Sequence, residues 1–127
     1  MKPIYTGYFA KAKKYEEAGL QVISIARFKP NFFYGKECLD LAPSKELLMK
    51  YKNGTINWEQ YRIEFFKDHP AEKVAMAIKV LINELPFGKE GFILCCFEKP
   101  DAECHRHLVA EIANTRLGYD IQEYTGE

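Results

Sequence analysis

FILCCFEKPDAECHRHLVAE, running from Phe92 to Glu111, decides the fold. Gly91 to Glu98 reads as a strand that is apolar on both faces. A strand apolar on both faces belongs in the middle of a parallel sheet. A short polar turn follows. From Asp101 to Leu117 apolar residues recur at helical spacing, with Leu108, Val109, Ile112 and Ala113 as the stripe and Gly118 as the stop. A buried strand feeding an amphipathic helix is half of a β-α-β unit.

The rest of the chain supplies the other halves. Pro3 to Phe9 reads as a strand rich in good strand formers, and Gly7 within it marks a bend or a close backbone approach. Lys11 to Ala18 reads as a helix ended by Gly19. Leu20 to Ala26 is a second strand, with Arg27 at its end. FKPNFFYGKECLDLAP, from Phe28 to Pro43, reads as an aromatic-rich loop. Ser44 caps a helix through Lys52, Asn57 caps one through Lys67, and Pro70 opens one through Leu85. Trp58, Tyr61, Phe65 and Phe66 form the stripe of the middle helix, as core packing. Tyr119 to Tyr124 reads as a last short strand. The expected fold is α/β: a single three-layer domain over residues 1–127, with a mostly parallel sheet of about four strands flanked by helices.

Composition narrows the function. The chain has 127 residues, 47% of them hydrophobic, which argues against disorder. Eighteen Lys and Arg balance 18 Asp and Glu, so no global field steers it to nucleic acid or membrane. No apolar run is long enough to span a bilayer and no signal-peptide core opens the chain. A cytoplasmic protein is expected. Cys38, Cys95, Cys96 and Cys104 follow no CxxC pattern, so free thiols are expected in a reducing compartment.

The chemistry-bearing residues gather around the turn. Strand alternation puts Phe92, Leu94, Cys96 and Glu98 on one face and Ile93, Cys95 and Phe97 on the other. Cys95 is then a small core residue. Cys104, His105 and Arg106 lie one turn before the buried stripe of the helix and face the crevice beyond the strand ends. A buried Arg or His needs a partner, and Glu98 or a bound anion would serve. The helix N-terminus favours negative charge and lowers the pKa of a thiol at Cys104. Arg27 adds positive charge, and Thr6 adds a hydroxyl. His107 is expected in solvent and His69 at a helix start.

These residues resemble the domain of unknown function 488 family. The motif is Cys96-Phe97-Glu98, a polar turn, then Cys104-His105-Arg106 followed by Leu108 and Val109. The likeness extends to Tyr5 and Thr6, to Arg27 and Pro30, to Leu41-Ala42-Pro43-Ser44, to Tyr61 and to the closing strand. It departs at Ile25, where many members carry an acid, and at Thr6-Gly7, where many carry an extra residue between threonine and glycine. The resemblance implies an α/β fold with a site built from these residues, and no particular reaction.

Three readings follow. One is a cysteine-dependent enzyme with an anion-binding pocket at the C-terminal end of the sheet. Cys104 is its nucleophile, and Cys96 an alternative nucleophile or a resolving thiol. His105 or Glu98 moves protons, and Arg106 and Arg27 hold an anionic group. The second is a non-catalytic module for a phosphate- or nucleic-acid-like ligand, with Phe32, Phe33 and Tyr34 stacking a base. The third is a zinc site from Cys96, Cys104 and His105, against which the adjacent Cys-His spacing speaks. The enzyme reading leads. No cofactor or metal is expected. The expected partner is a small anionic ligand, with no membrane, and with nucleic acid unsupported by the net charge.

Overall fold

Five strands pair in parallel throughout. In the computed structural model, which describes residues 2–98 and 102–126, they are β1 (Ile4–Tyr8), β2 (Leu20–Ser24), β3 (Lys36–Glu37), β4 (Gly91–Cys96) and β5 (Gln122–Glu123). The sheet order is β3-β2-β4-β1-β5. The apolar run of β4 thus lies between β1 and β2, with Ile4 opposite Phe92 and Leu20 opposite Gly91. All six of its residues are buried.

Helices cover both faces. The connection from β1 to β2 is α1 (Ala12–Glu17), entered through a single 3-10 turn at Phe9–Lys11. It packs on Leu20, Val22, Ile93 and Cys95, with Phe9 and Tyr15 filling that core. The other face carries α2 (Lys45–Lys52), α3 (Trp58–Asp68), α4 (Ala71–Asn83) and α5 (His105–Arg116). Ile23, Phe92 and Leu94 meet Phe65, Ile78 and Val109 there in the larger core. Local signals set the helix starts. Ser44 Oγ accepts from Leu47 N–H at 3.1 Å, and Asn57 and Gln60 form a reciprocal capping box. No helix among the described residues is long and apolar enough to cross a membrane.

The sheet has one strand more than the sequence predicts. β3 lies inside the aromatic loop and pairs only with Ile23 and Ser24 of β2. Lys36 and Glu37 carry no strand signature; the free edge of β2 supplies the hydrogen bonds that order them. β4 stops at Cys96 rather than Glu98, because its register with β1 runs out at Tyr8↔Cys96. α5 begins at His105 with Cys104 as its N-cap, later than expected; Asp101 lies outside the described residues.

Two glycines mark close approaches. A Cβ on Gly7 would lie 2.7 Å from the Tyr15 hydroxyl and from Ile93 Cδ1. A Cβ on Gly91 would run into the backbone carbonyl of Pro3, which cannot swing aside as a side chain can. Gly91→Ala is therefore expected to destabilise the fold by about 1–3 kcal/mol, the usual range for overpacking. Urea unfolding of the variant beside the parent chain measures it.

Candidate functional site

The sheet topology itself opens a crevice. β1 and β4 are neighbours, yet the chain leaves β1 toward one face, where α1 packs, and leaves β4 toward the other, where α5 packs. Adjacent parallel strands whose connections part in this way leave a gap at their C-terminal ends, where α/β sheets hold their ligands. Tyr8 ends β1 and Cys96 ends β4, side by side at this gap.

The two sulfurs nearest the gap are bonded. Cys96 and Cys104, eight positions apart, form a disulfide. This corrects the expectation of free thiols for that pair. A strand end and the N-cap of the following helix are brought together by the packing of α5 on β4, which spacing in the sequence does not reveal. Cys38 and Cys95 are free. Burial pushes both thiols up from the ordinary range, and Cys95 is a core residue as its strand parity predicts.

Arg106 is fully buried behind the bridge. Its Nε and Nη2 donate to the two carboxylate oxygens of Glu123 at 3.1 and 3.2 Å. Its Nη1 donates to Cys96 Sγ at 3.0 Å. Thr6 Oγ1 donates to Glu123 Oε1 at 2.7 Å, across the β1–β5 pair. The partner of Arg106 is therefore Glu123, which sequence reasoning missed. A signal was present: Ile121 is buried in the core under α5, and Glu123 two positions on shares its face. Glu98 lies exposed past the end of β4. The hydrogen bond to Glu103, then burial and the charge of Glu103, push the Tyr51 hydroxyl up to about 12, and the charge of Glu98 adds the smallest share.

His105 is held neutral. Its Nε2 lies 2.6 Å from the carbonyl oxygen of Ile25, which can only accept, so the proton sits on Nε2. Nδ1 is then the bare nitrogen, and it faces Cys104 Sγ at 3.8 Å. Burial pushes the His105 pKa down to about 4, against the pull of the Ile25 carbonyl. His69 closes α3 instead of starting a helix. It is buried against Phe65 at 4.0 Å, with carbonyls of Phe65 and Ala42 each 2.9 Å from a ring nitrogen. His107 is half-buried rather than solvated.

Arg27 goes elsewhere. Its Nε donates to the Pro43 carbonyl at 2.8 Å. It lines a cleft of about 440 Å³ with Ser44, Lys50, Asp68, His69 and Lys73, and neither Cys96 nor Cys104 lines that cleft. The structure thus brings Cys96, Cys104, His105, Arg106 and Thr6 together, with Glu123 added. Ligand atoms of Cys96, Cys104 and His105 lie within 4.8 Å of one another, a separation that a metal ion could bridge. Sulfurs bonded to each other are not thiolates, however, and a guanidinium already occupies one side of Cys96.

An all-parallel α/β sheet with a cysteine, histidine and arginine cluster at its switch point defines the class, and the chain belongs to the DUF488 family. Within it, residues 10–117 match DUF488-N3a, described as the active DUF488-N3 subclade. Comparison with curated proteins and with solved structures gave no match.

Proposed function

We propose that this protein is a cytoplasmic cysteine-dependent enzyme whose working centre is the Cys96–Cys104 pair. It cycles between disulfide and dithiol. The carrying observation is the differential environment of the two sulfurs: a guanidinium donates to Cys96, and an unprotonated imidazole nitrogen faces Cys104. In a reducing compartment a bonded pair is a working pair more often than a structural staple. The description of the matched subclade as active supports chemistry over simple binding.

The step balances with an external thiol as co-reactant. Its thiolate attacks Cys104 Sγ, so that the sulfur which leaves is Cys96, the one to which Arg106 donates. A bond forms between the external sulfur and Cys104, the Cys96–Cys104 bond breaks, and the electron pair leaves on Cys96 beside Arg106. A second external thiolate then releases Cys104, so two thiols are oxidised to a disulfide as the pair is reduced. Run in reverse, the Cys104 thiolate attacks a substrate disulfide and one substrate sulfur leaves as thiolate; the Cys96 thiolate then displaces the second and restores the Cys96–Cys104 bond.

The binding-module alternative draws on the Arg27 cleft. Arg27, Lys50 and Lys73 are matched there by Glu46, Glu64 and Asp68, which leaves no net field for an anion. The thiol reading therefore leads. An aromatic disulfide probe tests it. Cys96→Ser is expected to accumulate a mixed disulfide on Cys104, and Cys104→Ser to form none and to lose turnover. Turnover that survives Cys104→Ser, or zinc bound one per chain in reduced protein, would overturn it.

A further inference from the structure

We infer that Glu123 and Thr6 are positioning residues for the thiol centre: they clamp Arg106 so that an N–H of Nη1 meets Cys96 as that sulfur leaves. The inference rests on the thiol reading above and adds a regulator of its rate. It starts from the shape of the guanidinium, a rigid planar fork whose donors point in fixed directions. With one edge held by both oxygens of Glu123, the plane and heading of the fork are fixed, and Cys96 Sγ lies 3.0 Å from Nη1 on its far side. Thr6 Oγ1 in turn holds Glu123 Oε1 at 2.7 Å.

The parts come from four elements. Cys96 ends β4, Arg106 lies in the first turn of α5, Thr6 is in β1 and Glu123 is in the edge strand β5. β5 has only two residues, and Tyr124 N–H donating to the Thr6 carbonyl at 2.9 Å and the paired bonds between Asn114 and Ile121 keep it in place. A strand this short at a sheet edge contributes little to the core. Its contribution to the site is the carboxylate of Glu123. Thr6 and Glu123 also lie outside residues 10–117, so the clamp belongs to the parts of this chain that flank the family match.

The charge accounting supports the assignment. With the bridge closed, Arg106 and Glu123 balance. When an external thiolate opens it at Cys104, one negative charge appears on Cys96 in a buried site. A hydrogen bond from a cation to that sulfur is the strong, charge-assisted kind. Without Glu123 the guanidinium loses both bonds on one edge and turns to seek other acceptors, and Cys96 leaves without its donor.

Reduction of the bridge by dithiothreitol, followed by thiol trapping and peptide mass spectrometry, tests the clamp. Glu123→Ala is expected to slow opening about tenfold or more, in line with the loss of a charged hydrogen bond. Thr6→Val, which removes one bond to Glu123 with little change of shape, is expected to slow it severalfold. The equilibrium with glutathione shifts toward the disulfide in the same order. A merely structural role predicts the opposite sign, since a loosened fold exposes the bridge and speeds its reduction. Opening at the parent rate or faster in a folded Glu123→Ala chain overturns the inference. Should that chain fail to fold, Thr6→Val decides alone by the same criterion. If the parent chain shows no reversible bridge at all, it is the thiol reading that falls.

Discussion

Arg106→Ala is expected to lower the unfolding free energy by about 3–5 kcal/mol, the range for removing one partner of a buried ion pair. The arginine side chain is fully buried, and Glu123 is largely so. Removing the guanidinium leaves a carboxylate with Thr6 as its remaining hydrogen-bond donor among the described residues, and a void where the side chain lay. Urea unfolding at neutral pH measures the loss. The double replacement Arg106→Leu with Glu123→Leu separates stability from function. Apolar substitutes for a whole buried pair are often neutral or stabilising, so this chain is expected to recover most of the loss. Recovery of stability without recovery of bridge opening would mean that the pair is kept for the chemistry at Cys96. A cost below about 1 kcal/mol for Arg106→Ala, the level of a surface pair, would contradict the buried clamp.

Acid is expected to remove about 3 kcal/mol of stability through His105 between pH 6.5 and 4. The unfolded chain takes up a proton near 6.5, while the folded chain holds His105 neutral until about 4. The contribution is complete above pH 6.5, falls as the pH drops through this window, and levels off below the folded value. Burial shifts His69 the same way and adds to the slope. Urea midpoints measured from pH 7 to pH 4 give the size. His105→Asn is expected to flatten the profile while costing stability at pH 7, because the Ile25 carbonyl loses its donor. A profile unchanged in that variant would mean that other groups carry the acid response.

How much of this was legible in the sequence depends on the range of the force involved. The run of β4 announces itself because burial on both sides demands continuous apolar residues, β2 by its β-branched apolar run, and β1 by its strand formers. Ser44 and Asn57 mark helix starts because a cap is a local hydrogen bond three residues long. The stripe of α5 and the opposite orientations of Cys95 and Cys96 follow from period alone. β3 was illegible because Lys36 and Glu37 are ordered by a neighbour and not by their own propensity. In the site, Cys104, His105 and Arg106 could be placed at a crevice, since a buried cation and imidazole on one helix turn need partners. Their partners could not be named. Glu123 is 17 positions from Arg106 and Ile25 is 80 from His105, and only the sheet order brings them close. Arg27 shows the reverse case: the end of β2 carries it toward the crevice in sequence, while the Pro43 carbonyl draws its side chain into a separate cleft.

A working pair at Cys96 and Cys104 exchanges its bond with the thiol pool around it. Titration of the purified chain against glutathione buffers, with acid quench, alkylation and peptide mass spectrometry, tests it most directly. These two cysteines are expected to gain and lose their thiols together, in one two-electron transition with a midpoint between about −270 and −120 mV, the span of known thiol–disulfide catalysts. Cys38 and Cys95 should stay reduced throughout. A bridge that persists at every ratio would make it a structural staple, and two thiols that never bond would leave the proposed cycle without its oxidised state.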